Sequence, residues 1–421
     1  MFEKMVITKL FGTFDYTIPF KSKGLTIFTG PNGYGKTTIL RILDAVSSKN
    51  PFFFFNLLFD EITINLSDGL KIFIKSTDFG FSLSINDEDS SKYNKADIFS
   101  KVEDLLDDGP FRRIEKNVWI DRRSEKVYTL DDLINDPFFS HNADISIREI
   151  QMVLPPMPKV YRISEQRLLR RTSNYRTMRY YHDSIGMEGN PFGETIEQYA
   201  SDLSDRITNT QASSSKVGQD LDSSFPRRLF DQDEEISQVE FEHRFSKVQE
   251  IQKALGKFGL STTKDDNHPT YKQEHSKSLF VYLNDTEKKL EVFGKLLVKL
   301  EIFTNILNER RFAFKKINIS PEKGFKFITT NGRPLNLKDL SSGEKQEVVL
   351  LYELLFKVEP NTLVLIDEPE ISLHVAWQKE FLSDLLRVIE LQHISVITAT
   401  HSPQIINNNW DLTVDLEELS R

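Results

Sequence analysis

The stretch Gly30-Pro31-Asn32-Gly33-Tyr34-Gly35-Lys36-Thr37 satisfies every fixed position of the pattern G-x-x-x-x-G-K-[ST]. Glycines permit the tight turn that aims successive backbone N–H groups at phosphate oxygens. Lys36 reaches the β and γ phosphates, and Thr37 offers a hydroxyl to a magnesium ion. Asn32, Gly33, Gly35, Lys36, Thr37 and Thr38 are therefore the expected ATP-binding residues. A second group, Asp367-Glu368, ends the apolar run Leu363-Val364-Leu365-Ile366. Two adjacent carboxylates at the end of a buried strand are costly as structure and useful as chemistry. Asp367 is placed to hold magnesium through its water shell, and Glu368 to orient and deprotonate the attacking water. A third run, His393 to Thr400, delivers His401, where an imidazole can contact a γ-phosphate and report its presence.

The elements that must position these groups surround them. Gly24 to Thr29 reads as a buried strand before the loop, and Thr38 to Leu43 as the start of a helix whose N-terminus favours an anion. Earlier strands are expected around Met5 to Leu10 and Phe14 to Phe20. Between Glu61 and Asp87, alternating apolar and polar residues predict an antiparallel meander. Asn86 to Asp108 is acidic and polar, a solvated helix or loop. Lys159 to Ser164 is a short strand leading to Gln166. Beyond it, Arg167, Arg170, Arg171, Arg176 and Arg179, interleaved with Tyr175, Tyr180 and Tyr181, form a tract suited to phosphates or to an acidic protein. The same arginines equally suit internal ion pairs.

From Asp183 to Asp231 the chain is polar, with a serine run at 213–215, and is expected to be partly flexible. Two helical patterns follow, one from Phe241 to Phe258 and one a heptad seam from Leu279 to Leu307. A helix of some thirty residues is about 45 Å long, which predicts an antiparallel hairpin. Strands are expected again at Phe312 to Ile319 and Gly324 to Thr330. Leu340-Ser341-Ser342-Gly343-Glu344 then precedes a helix from Lys345 to Phe356, where serine and glycine serve first as caps.

A length of 421 residues with 39% hydrophobic content suffices for one large core plus an insert. The chain contains no cysteine, which excludes disulfides, thiolate metal sites and cysteine nucleophiles and points to a cytoplasmic location. No signal peptide or membrane span is evident. A net charge of -9 argues against a generic nucleic-acid binder.

The phosphate loop, Gln166, Leu340 to Glu344, Ile366-Asp367-Glu368-Pro369-Glu370, Ser372-Leu373-His374 and Thr400-His401-Ser402-Pro403 occur in the order found in ABC-type ATPase heads. The chain resembles the branch containing double-strand-break repair, RecF-like and OLD-type ATPases, over 1–185 and 312–421. That resemblance implies an α/β, two-lobed ABC ATPase head: a P-loop NTPase core with a mixed sheet, an antiparallel β subdomain and an inserted helical hairpin. The corresponding segments are 1–190, 191–311 and 312–421. It implies ATP and Mg2+ as cofactors, Glu368 and His401 as catalytic residues, and Thr37, Gln166 and Asp367 at the metal. Ser341, Ser342, Gly343 and Glu344 would form the signature that closes on a partner's nucleotide, and Ser372, Leu373 and His374 the D-loop.

Finer likeness lies in Val160 to Leu168, Ile371 to Gln378 and Trp410 to Leu416, which resemble the ATPase subunit of PARIS-type antiphage systems. This implies a sensor and scaffold without nuclease activity of its own. It would be a homo-oligomer of head-to-head dimers, a hexameric trimer of dimers being one such assembly, and would hold a separate TOPRIM-like nuclease effector. An acidic phage DNA-mimic protein would release that effector. The alternative is an SMC- or RecF-like repair ATPase that clamps DNA as an ATP-dependent dimer. Neither reading involves a membrane.

Overall fold

Apolar runs at Leu25–Thr29, Leu363–Asp367 and Ser395–Ala399 form the centre of a parallel sheet, as their near-complete burial requires. Strands covered on both faces read as continuous hydrophobic runs, not as alternation. The computed structural model describes residues 1–21, 24–86, 88, 90–107, 111–115, 118–122, 127–129, 151–163, 195–260, 270–309, 312, 314–371, 373 and 375–420. The 5-stranded sheet runs in the spatial order Val160–Ile163, Leu363–Asp367, Ser395–Ala399, Leu25–Thr29, Thr413–Asp415. Asp367 pairs with Ala399, Ala399 with Phe28 and Asp415 with Thr29, so the carboxyl ends of the strands lie side by side. In open α/β sheets ligands bind at that edge.

A 6-stranded antiparallel sheet joins Phe14–Pro19, Phe2–Leu10, Glu61–Leu66, Lys71–Thr77, Gly80–Ile85 and Ser91–Asn94 in that order. The meander is as expected from its alternation, with Ile62, Ile64, Ile72, Ile74, Phe81 and Leu83 buried. One apolar cluster connects both sheets through Phe28, Ile39, Leu43, Leu365 and Ile397 on one side and Met5, Ile7 and Ile62 on the other. At about 1.5–3 kcal/mol per fully buried aliphatic side chain, this core holds the rim of the parallel sheet in place. The acidic stretch 86–108 is more than a wet surface: it contains the edge strand Ser91–Asn94 and the helix Lys95–Asp107. These bury Tyr93, Ile98, Val102 and Leu106, and Tyr93 stacks on Phe81 at 4.9 Å. Its charges occupy one face, and the apolar residues at three and four spacing occupy the other.

The described chain gathers into two compact units, one within Met1–Glu165 and Val358–Arg421, the other within Met178–Lys357. Both sheets above belong to the first. In the second, helices pack with the 3-stranded sheet of Lys315–Ser320, Gly324–Thr329 and Pro334–Leu335. The strands 315–320 and 324–329 and the helix Ser342–Tyr352 thus group with the helical segment.

The polar region expected to be partly flexible instead contains the 36-residue helix Thr195–Phe230. Its first turns bury Ile196, Tyr199, Ala200, Leu203 and Ile207 at helical spacing, which supplies the packing that local propensity does not. Farther along, hydroxyls fold back on the helix: Thr210 donates to the Arg206 carbonyl at 2.8 Å and Ser213 to the Asn209 carbonyl at 2.8 Å. The heptad seam does not run as one rod. It breaks into Ser276–Glu291 and Gly294–Glu309, with Val292 and Phe293 between them. The helix Gln238–Lys257 packs on the first of these through Phe241, Val248, Leu279 and Leu283. The helix 195–230 runs antiparallel to the same segment, since Ser214 donates to the Lys289 carbonyl while Arg228 holds Asp285. No described helix is long and apolar enough to cross a membrane.

Candidate functional site

The phosphate loop joins the strand Leu25–Thr29 to the helix Lys36–Ser47. Gly30, Gly33 and Gly35 have φ of 129°, 89° and 85°, a region that side-chain-bearing residues rarely adopt. A Cβ on Gly35 would lie 3.0 Å from Leu10 and 3.3 Å from Phe11, so this position is closed to larger residues on two counts. Tyr16 anchors the loop by donating to the Tyr34 carbonyl at 2.8 Å, and the Tyr34 ring packs 5.2 Å from Phe14. Asn32 and Gly33 are exposed, and Thr38 is half-buried in the first turn of the helix.

Lys36 is buried, with its ammonium donating to the carbonyls of Gly30 at 3.0 Å and Pro31 at 3.3 Å. It also contacts both ring nitrogens of His401. Burial lowers its pKa, opposed by the carboxylates of Glu368, Asp367, Glu370 and Asp415. Thr37 donates its hydroxyl to Asp367 at 3.1 Å. Burial raises the Asp367 pKa, against the pull of Thr37 and the charges of Arg162, Arg41 and Lys36.

Glu368 sits in left-handed backbone, φ 44°, with its N–H donating to the Ala399 carbonyl at 2.9 Å. One of its carboxyl oxygens lies 3.2 Å from His401 Nε2. Burial, then a hydrogen bond and repulsion from Glu370, raise its pKa from 4.5 to about 8. His401 is held below its usual range by burial and by the Lys36 ammonium, which keeps the imidazole neutral and able to accept.

The sheet therefore brings together Lys36, Thr37, Asp367, Glu368 and His401, five of the residues singled out in the sequence. A magnesium ion fits the Thr37 hydroxyl and Asp367 carboxylate, both hard oxygen donors. Among the described residues no group of three or more His, Asp or Glu could cage a metal. That donor count suits a cation completed by substrate phosphates and water. Gln166, Ser372, His374 and the arginine tract 167–181 lie outside the described residues. Leu373 is buried, and its carbonyl accepts from Gln378 at 3.1 Å.

In the other unit, Ser341 and Glu344 form a reciprocal capping box at the start of the helix Ser342–Tyr352. Lys315 donates to Glu344 at 2.8 Å. Burial alone would raise the Glu344 pKa, but Lys315 and Ser341 bring it down. Ser342 remains exposed and Gly343 half-exposed at that helix N-terminus. Sequence reasoning gave no individual role to Glu370 and Gln378, which contact the His401 loop. The third acid of Asp-Glu-Pro-Glu was the available signal for Glu370; nothing marked Gln378.

Residues 25–407 match the family described as "AAA domain, putative AbiEii toxin, Type IV TA system". The chain belongs to this family. It is a P-loop ATPase of the AAA/ABC type, in agreement with the mixed α/β fold and with the loop and acidic strand at one sheet edge. No curated protein matches the chain. Solved structures similar to this family member include the Smc head domain with an extended coiled coil bound to the C-terminal domain of ScpA from Pyrococcus furiosus. It is 16% identical with a TM-score of 0.37, covering 97% of this chain and 91% of that one. Another is the SMC head domain from Thermotoga maritima, 11% identical with a TM-score of 0.37, covering 96% and 90%.

Proposed function

We propose that this ATPase binds Mg-ATP at the Gly30–Thr38 loop and hydrolyses it as the sensor and scaffold subunit of an antiphage system. The carrying observation is the convergence of Lys36, His401 and Glu368, with Thr37 and Asp367 adjacent, at the carboxyl edge of the parallel sheet. In this reading Lys36 neutralises phosphate charge, and the loop N–H groups cradle the phosphates. Thr37 and Asp367, with Gln166 as a third contact, would hold magnesium, which would supply charge stabilisation to the transferring phosphoryl group. Glu368 takes the proton of the attacking water once ionised, and neutral His401 orients the terminal phosphate.

ATP closes a head-to-head dimer in which Ser342 and Gly343 of one subunit meet the nucleotide of the other, with Ser341 and Glu344 fixing that helix start. Ser372 to His374 would serve as the D-loop of that dimer. The subunit works in the cytoplasm, and its output is a separate nuclease effector, held until an acidic DNA-mimic protein is sensed. The defence setting is supported by the toxin–antitoxin wording of the matched family and by the acidic net charge, -9, which disfavours a general DNA clamp. To test it, tagged Glu368→Gln protein is purified from its native host with ATP and its bound proteins identified by mass spectrometry. Recovery of a nuclease that an acidic DNA mimic then releases supports the reading. Salt-sensitive, ATP-dependent retention of DNA with no nuclease would favour the repair-clamp alternative instead.

A further inference from the structure

His401 follows the end of the strand Ser395–Ala399 in a segment of irregular backbone, yet its ring is directed at Lys36 and Glu368. Something must fix that segment. One carboxylate oxygen of Glu370 accepts three hydrogen bonds from it: the Thr400 hydroxyl at 2.7 Å, the His401 N–H at 2.5 Å and the Ser402 N–H at 3.1 Å. Thr400 is fully buried, and its hydroxyl also receives the Ser402 N–H at 3.0 Å, which closes the turn on itself. Gln378 adds a second tie. Its amide oxygen accepts from the Ser402 hydroxyl at 2.7 Å, while its amide nitrogen donates to the Leu373 carbonyl at 3.1 Å. Gln378 is buried, so these bonds do not compete with bulk water.

Glu370 belongs to the short helical turn Pro369–Ile371 directly after the acidic strand, and Ile371 N–H bonds the Glu368 carbonyl at 3.2 Å. The turn that carries Glu368 and the segment that carries His401 are thereby joined through one oxygen atom. We propose that Glu370 is a positioning residue: its carboxylate, supported by Gln378, sets the placement of the His401 imidazole against Glu368 and Lys36, and so acts on hydrolysis through His401. The inference rests on the ATPase reading of this site. A carboxyl oxygen accepting two backbone N–H groups and a hydroxyl is a strong, directional anchor. Misplacing a catalytic group by about 1 Å can reduce turnover on the order of 100-fold.

The test is a double-mutant cycle on steady-state ATP hydrolysis, with nucleotide Kd measured on each protein using a fluorescent ATP analogue and Mg2+. The variants are Glu370→Ala, Glu370→Gln, His401→Ala and the pair Glu370→Ala/His401→Ala. Glu370→Ala is expected to lower kcat by roughly 10- to 100-fold while Kd stays within about 3-fold. Glu370→Gln, whose amide oxygen still accepts from all three donors, should recover most of that loss. All variants are assayed at about pH 9, above the value of about 8 to which Glu370 helps raise Glu368, so that this direct effect is removed. Under those conditions Glu370→Ala in the His401→Ala background should change kcat by less than about 3-fold, because the residue it positions is gone.

Wild-type kcat in Glu370→Ala, or the full loss repeated without His401, overturns the proposal, as does a Kd loss equal to the kcat loss. If His401→Ala itself leaves hydrolysis unchanged, both this proposal and the role of His401 fail. An effect of His401→Ala with additive Glu370→Ala sinks the positioning claim alone. Should Glu370→Ala not fold, Ser402→Ala, which removes only the bond to Gln378, is taken through the same cycle. A smaller loss of kcat that disappears in the His401→Ala background is expected, and additivity there counts against the proposal.

Discussion

His401 Nε2 lies 3.2 Å from a Glu368 carboxyl oxygen, although the two residues follow different strands and are 33 positions apart in the chain. The parallel register that pairs Asp367 with Ala399 sets this distance. It places the expected water-activating carboxyl and the expected phosphate sensor on one side of Lys36.

Replacing Lys36 with alanine removes the ammonium proposed to meet the β and γ phosphates. Nucleotide affinity should fall by roughly 100-fold or more, measured by titration calorimetry with Mg-ATP. An affinity close to wild type would mean that the nucleotide binds elsewhere.

The Glu368 carboxyl is raised from 4.5 to about 8 by burial and by Glu370. Between those values the folded protein holds this proton more tightly than the unfolded chain does. The associated stability is therefore complete below pH 4.5 and is lost as pH rises through 8. Glu368→Gln cannot ionise. In magnesium-free protein its Tm should match wild type near pH 5 and exceed it by roughly 1–3 °C at pH 8.5. A Tm difference that stays constant across this range would contradict the assignment.

In the second unit, the buried Tyr352 hydroxyl donates to Asp202 at 2.5 Å, and Asp202 also receives Arg206 at 2.8 Å and Lys357 at 2.9 Å. Burial alone would raise the Asp202 pKa, but these three partners bring it down. Tyr352→Phe leaves the carboxylate short of one bond and should cost about 1–3 kcal/mol in urea unfolding. An unchanged unfolding midpoint would show that water replaces the hydroxyl.

Gly324 has φ 64°, and a Cβ there would stand 1.8 Å from the Ala200 carbonyl oxygen. Gly332 has φ 78° with nothing within 4 Å of the same atom. Gly324→Ala should therefore cost more than about 3 kcal/mol, through a clash with the long helix, whereas Gly332→Ala should cost about 1 kcal/mol through backbone strain alone. Chemical denaturation of the two variants separates these effects. Equal losses would place Gly324 away from that helix.

The parts of this molecule that were legible in sequence are those whose chemistry is local. The phosphate loop needs glycines at fixed spacing, and a strand buried on both faces needs an unbroken apolar run. Both therefore announce themselves in a few residues. The helix Thr195–Phe230 was not legible, because its burial is concentrated in its first turns and its serines suggest a loop until their hydroxyls are seen bonding back to carbonyls. The break at Val292 and Phe293 interrupts a heptad pattern that continues in sequence without a signal. Glu370 and Gln378 could not be assigned because their partners, Thr400 to Ser402, lie more than twenty residues away and are brought close only by strand pairing.

The most direct test of the central claim is ATP hydrolysis by Glu368→Gln, with Mg-ATP affinity measured on the same preparation. Kd should stay within about 3-fold of wild type and kcat should fall by roughly 100-fold or more, since the amide cannot take the proton of the attacking water. Wild-type turnover by this variant would contradict that claim and would move water activation to another residue.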